Sequence, residues 1–193
     1  DRQLAHEDGN DKAGKLLDWC LADDLTPYVN NQQARNPRTP FLVYFAPGSA
    51  HAPHQAPKDY IARFKGKFDH GWDAQRVLTW RRQLAMGIIP QGTKLTPRAA
   101  ELPAWDTLTP QQKAFHARQM EVAAAMLAYQ DEQFGRVVDE LRRMGQYDNT
   151  LFAIVLGDNG GSGEGGVDEG GGGAGGGPAR HPLHLPRRRG CRP

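Results

Sequence analysis

Cysteine, long apolar runs and a strong excess of either charge are all scarce in this chain of 193 residues. The two cysteines, Cys20 and Cys191, stand at opposite ends and make no metal or disulfide pattern. No apolar run approaches the roughly 18 residues of a membrane span, so no membrane partner is expected. The chain begins at Asp1 and shows no charged-then-apolar leader, which leaves export and compartment unread. Hydrophobic residues make up only 38%, beside 23 glycines and 14 prolines, so part of the chain is not expected to join a core. Lysine is absent after Lys113. The net charge of +2 hides an uneven distribution, because Arg180, Arg187, Arg188, Arg189 and Arg192 crowd the last fourteen residues without an acid.

Two short continuous apolar runs stand out against this background. Leu151-Phe-Ala-Ile-Val-Leu156 ends in Gly157-Asp158-Asn159-Gly160-Gly161, and Phe41-Leu-Val-Tyr-Phe-Ala46 ends in a proline-rich loop. Their length and their β-branched and aromatic residues predict strands buried on both faces. With helical sequence between them, they predict an α/β domain with a mostly parallel or mixed sheet flanked by helices. Asp158 and Asn159 then fall at a strand's carboxyl end, where open α/β sheets place ligands. A carboxylate beside an amide oxygen suits a hard cation, Ca²⁺ or Mg²⁺, although Asp-Asn-Gly is also an ordinary turn tripeptide. The other loop, Pro47 to Pro57, holds His51 and His54 between three prolines that exclude a helix. Both loops are predicted at one sheet edge, so His51 and Asp158 are expected within about 10 Å of each other.

Helical spacing is present from Asp11 to Leu21, at Ala13, Leu16, Leu17, Cys20 and Leu21. Thr26 to Thr39, with Pro27, Pro37 and three asparagines, reads as a loop. Asp73 to Met86 reads as a helix and Gln91 to Thr107 as an extended excursion. Thr109-Pro110-Gln111-Gln112 has the form of a capping box and opens the longest helix, which Gly145 stops. Its apolar positions, from Met120 through Met144, are assigned to the core, and Glu121, Asp131, Glu132 and Arg136 to solvent. Twelve of the eighteen residues from Gly160 to Gly177 are glycine, and a Pro, Arg and His tract follows. Residues 161–193 are therefore expected to be a low-complexity, disordered tail after a domain at 1–160. The basic tail raises a nucleic-acid alternative, but no nucleic-acid partner is expected.

The order of these pieces carries a resemblance. Phe41-Leu-Val-Tyr-Phe-Ala, Ala50-His51-Ala-Pro53, Gln55-Ala-Pro57, Lys65-Gly-Lys-Phe-Asp69, Gly135-Arg-Val-Val-Asp-Glu-Leu141, Asp148-Asn-Thr-Leu151 and Gly157-Asp-Asn-Gly160 resemble the middle of a bacterial arylsulfatase. The resemblance is to the formylglycine-dependent sulfatases of the alkaline-phosphatase-like superfamily and covers roughly Ala13 to Glu164. It implies an alkaline-phosphatase-like sandwich, of which this chain is a fragment, and hydrolysis of a small-molecule sulfate ester. It further implies Asp158 and Asn159 as Ca²⁺ ligands, His51 as a catalytic contact of the sulfate near the leaving oxygen, and a hydrated formylglycine as nucleophile. No family role carries over to His54.

Several parts of the family pattern are missing. Nothing before His51 matches C-x-P-S-R, since Cys20 is followed by Leu-Ala-Asp, and Cys191-Arg192-Pro193 lacks the closing Arg. The metal-binding acids of the family's first strand and its later lysine are absent too. The isolated chain is therefore expected to be inactive. A non-catalytic remnant or basic binding module, and a phosphoesterase of the same superfamily, stay open as alternatives.

Overall fold

Thr109 starts the longest helix through the predicted reciprocal cap. Its hydroxyl accepts from the Gln112 amide at 3.3 Å, and the Gln112 side chain accepts from the Thr109 amide at 3.0 Å. The computed structural model describes residues 16–49, 51 and 54–155. Among these residues lie helices α1 (Leu17–Arg35), α2 (Lys58–Ala62), α3 (Gly71–Ala85) and α4 (Pro110–Arg143), with 3₁₀ turns at Trp105–Thr107 and Tyr147–Asn149. None of these helices is long and apolar enough to cross a membrane.

Every other helix packs on α4, and its buried residues explain how. Ala117, Glu121, Ala125, Tyr129, Gln133 and Leu141 are buried, with half-buried Val137 completing a stripe of every fourth residue. Four residues overshoot one helical turn by about 40°, so such a stripe winds round the helix and meets different partners along its length. Near the start, His116 meets Trp72 of α3 at 5.3 Å. In the middle, Tyr129 meets Tyr60 of α2 edge-on at 5.1 Å, and burial pushes the Tyr129 hydroxyl up to about 12. Towards the end, Leu141 joins Leu25 and Val29 of α1.

Polar links fix α1 on α4. Arg136 bonds Asp23 at 3.2 Å, Asn30 donates to Glu140, and Arg143 reaches both Glu140 and Asn30. The pairing of 23 with 136 and of 30 with 140 shows that the two helices run in the same direction. The α1 helix also replaces the loop predicted at Thr26 to Thr39 as far as Arg35, and a turn remains from Asn36 to Thr39. An interior proline costs about 3 kcal/mol, but burying Leu25 and Val29 returns about 1.5–3 kcal/mol each, so tertiary packing outweighs Pro27. Thr26 Oγ1 donates to the Ala22 carbonyl at 2.8 Å, one turn back along the same helix. Cys20 is almost fully buried and is not a free thiol.

The expected α/β domain, an alkaline-phosphatase-like sandwich with a mostly parallel or mixed sheet, is not what forms here. Among the described residues the structure is helical and contains no strand. Residues 41–46 are extended, yet only alternate side chains are covered: Phe41, Val43 and Phe45 pack on the Leu25, Val29 and Leu141 cluster. Leu42 and Tyr44 are 97% and 93% exposed. At 151–155 Phe152 is packed and Leu151, Ile154 and Val155 are exposed. An apolar run signals a demand for cover on two faces, but a ladder also needs a non-local neighbour that the run cannot itself supply.

The excursion before α4 is held by side chains of α3. Arg76 donates to the Thr96 carbonyl at 3.0 Å, Trp80 to the Thr93 carbonyl at 3.0 Å, and Trp72 to the Pro103 carbonyl at 3.1 Å. Asp73 accepts from the Trp105 amide at 2.9 Å and from Arg98 at 3.0 Å, bonds that hold its carboxyl below the usual range. Trp105 is thereby buried over Gly71, edge-on to Trp72 at 4.9 Å.

Candidate functional site

The loop carrying His51 is held between the start of α1 and the middle of α4. Phe45 leaves the core beside Phe134 of α4, with ring centroids 6.2 Å apart, and the chain then turns at Gly48 and Ser49. The His51 amide donates to the Gly48 carbonyl at 3.0 Å, closing that turn. Asp18, in the first turn of α1 and 4% exposed, accepts from the Gly48 amide at 3.0 Å and from the Ser49 hydroxyl. The result is an exposed His51 on a turn tied to a buried carboxylate, with His54 half-buried further on.

The second segment converges on the same helix. Phe152 meets Phe134 at 6.2 Å with its ring perpendicular, so Phe134 lies between Phe45 and Phe152. Six residues lead from Phe45 to His51, and six from Phe152 to Asp158. Asp158 and Asn159 lie outside the described residues, as does the whole of 161–193, and the expected approach of His51 to Asp158 falls there too. Among the described residues no three or more His, Cys, Asp or Glu side chains are grouped as a metal site.

Two buried carboxylates, one at the His51 turn and one under Gly66, escape the sequence reading. Asp18 sits in a polar-looking helix start, with no local pattern linking it to residues 48–49. Glu121, expected in solvent, is buried and accepts from the Gly66 amide at 2.7 Å, beside Arg118 at 2.7 Å. Burial alone would raise its carboxyl; the Arg118 and Gly66 bonds reverse that and hold it low. A carboxylate at every-fourth-residue spacing between Ala117 and Ala125 is the signal that could have found it.

Comparison with known proteins decides the family. The family model described as Sulfatase matches residues 4–185. The chain belongs to the sulfatase family. An uncharacterised sulfatase of Schizosaccharomyces pombe is 36% identical over 144 residues, which are 74% of this chain and 25% of that protein. An arylsulfatase of Klebsiella aerogenes is 34% identical over 141 residues, 73% of this chain and 29% of that protein. This sulfatase chain thus spans between a quarter and a third of the length of the curated relatives it matches.

Proposed function

We propose that the polypeptide to which this chain belongs hydrolyses sulfate esters, and that the chain contributes one donor and two metal ligands to the site. The observation that carries this reading is its membership of the sulfatase family, beside its similarity to a protein named arylsulfatase. A sulfate ester is a crowded anion whose cleavage places negative charge on the departing oxygen. A donor aimed at that oxygen stabilises the charge as it develops. His51 takes this role: its imidazole N–H donates to the leaving oxygen from a turn braced by Gly48 and Asp18.

Asp158 and Asn159 offer a carboxylate and an amide oxygen, a donor set that fits Ca²⁺. When bound, the ion supplies neutralisation of the sulfate's charge. The C-x-P-S-R motif is not among these 193 residues, so the formylglycine nucleophile falls to another part of the polypeptide. Residues 1–160 belong to the catalytic domain, and 161–193 form a low-complexity tail outside its chemistry.

The test measures hydrolysis of a chromogenic aryl sulfate with Ca²⁺ by the 193-residue chain and by a longer form bearing a matured C-x-P-S-R segment. The longer form turns over and the short chain does not. Asp158→Ala or Asn159→Ala abolishes turnover, and His51→Ala lowers it by roughly 10²–10³-fold, the usual loss for one such donor. Turnover by the short chain, abolished by His51→Ala, would refute the assignment of the nucleophile.

A further inference from the structure

We propose that Asp18 is the positioning residue of the His51 loop; this deepens the reading above and rests on His51 being the donor. A first-turn Asp ordinarily serves its own helix, through the free N-terminal amides and the dipole. In α1 both terminal oxygens of Asp18 are engaged with a distant loop. One accepts from the Gly48 amide and the other from the Ser49 hydroxyl, some thirty residues along the chain. The Gly48 carbonyl in turn accepts from the His51 amide at 3.0 Å. Gly48 is thus gripped on both sides, by the Asp18 carboxylate at its N–H and by His51 at its C=O.

The grip is anchored. A methyl group on Gly48 would lie 3.0 Å from Leu17 Cδ2, so the turn sits hard against the start of α1. That helix is tied to α4 by Arg136 with Asp23 and by Asn30 with Glu140. Position is thereby transmitted from the longest helix, through α1 and Asp18, to the backbone of His51. Asp18 is 4% exposed and acts through the loop. A buried carboxylate is costly, and one whose two oxygens each hold a group of the same loop has positioning as its use.

Asparagine keeps the geometry without the charge: its carbonyl accepts from the Gly48 amide and its NH₂ donates to the Ser49 oxygen. Alanine removes both contacts. Amide hydrogen exchange in the 193-residue chain reads the loop directly. In Asp18→Ala the Gly48 and His51 amides exchange at least about tenfold faster while the amides of α4 are unchanged, and Asp18→Asn restores both. In the longer form Asp18→Ala lowers kcat by roughly 10–10²-fold, the scale of a donor misplaced by about 1 Å, with KM within about threefold and Asn restoring kcat. Unchanged exchange in Asp18→Ala, or an Asn variant as impaired as Ala, would overturn the proposal. If Asp18→Ala does not fold, Ser49→Ala decides: an intermediate loss of protection and of kcat supports the proposal, and wild-type values overturn it. If His51→Ala lowers kcat while Asp18→Ala does not, the positioning role falls and the donor reading stands. If His51→Ala leaves kcat unchanged, the donor reading falls, and exchange alone decides whether Asp18 holds the loop.

Discussion

Replacing Gly71 by alanine tests the anchoring of the whole 71–108 region. Gly71 has φ +76°, and a Cβ built there would stand 2.0 Å from Trp105 Cδ2 and 2.3 Å from Cε2 and Cγ. The left-handed backbone alone costs a residue with a side chain about 1–2 kcal/mol. The indole cannot retreat freely, because its own amide is bonded to Asp73 and its ring lies against Trp72. Overpacking of this kind adds about 1–3 kcal/mol, giving about 2–5 kcal/mol in all. Gly87 supplies the control. It has φ +68°, and a methyl group there would meet nothing within 4 Å, so Gly87→Ala carries only the backbone cost. Urea unfolding followed by tryptophan fluorescence separates the two variants, whose midpoints should differ by roughly 1 M for a slope of about 1–3 kcal/mol/M. In a Trp105→Ala background the steric part should vanish and the two glycine variants should become equal. Equal midpoints in the native background would refute the close packing of Trp105 on Gly71.

Three further outcomes follow from the helix ends and helix contacts. Thr109→Ala removes half of the capping box and should cost about 1 kcal/mol in urea unfolding, with Thr109→Ser near wild type. Hydrogen bonds from Arg143 and Asn30 hold Glu140 down to about 2, so its stabilisation is complete above its ordinary value of 4.5 and is lost as pH falls towards about 2. The full shift corresponds to about 3 kcal/mol, but the Arg143 side chain is 66% exposed and solvent screens the pair, so about 1 kcal/mol is expected. Glu140→Gln should flatten unfolding free energy between about pH 5 and 2 by that amount; an unchanged acid limb would remove the contact from the account. Glu121→Ala strands the Gly66 amide and should cost about 1–3 kcal/mol, with faster exchange at Gly66.

Local chemistry is legible in the sequence and non-local pairing is not. The capping box at Thr109 and the stop at Gly145, which has φ +68°, depend on neighbours in the chain, and both form as their residues predict. The apolar reading of α4 holds towards its end, where Leu141 is buried and Val137 and Met144 pack with Leu25 and Val29, and fails before it, where Ala117, Glu121, Ala125, Tyr129 and Gln133 are buried while Met120 and Leu127 are 44% and 52% exposed. Pro27 marks a loop by its own preference, yet burial of Leu25 and Val29 keeps it helical. The runs at 41–46 and 151–156 announce buried strands, although cover on the second face and ladder partners are properties of the rest of a fold. His51 can be picked out because prolines flank it. Asp18 cannot, since its partners Gly48 and Ser49 are thirty residues away.

The central claim is that these residues serve sulfate ester hydrolysis, and the direct measurement compares two leaving-group-matched substrates. Initial rates of the longer, matured form would be taken on an aryl sulfate and on the corresponding aryl phosphate, each with and without the Asp158→Ala substitution. The sulfate ester is expected to be hydrolysed faster, and the substitution to remove this activity. Faster hydrolysis of the phosphate ester, or sulfate turnover that survives Asp158→Ala, would contradict the claim.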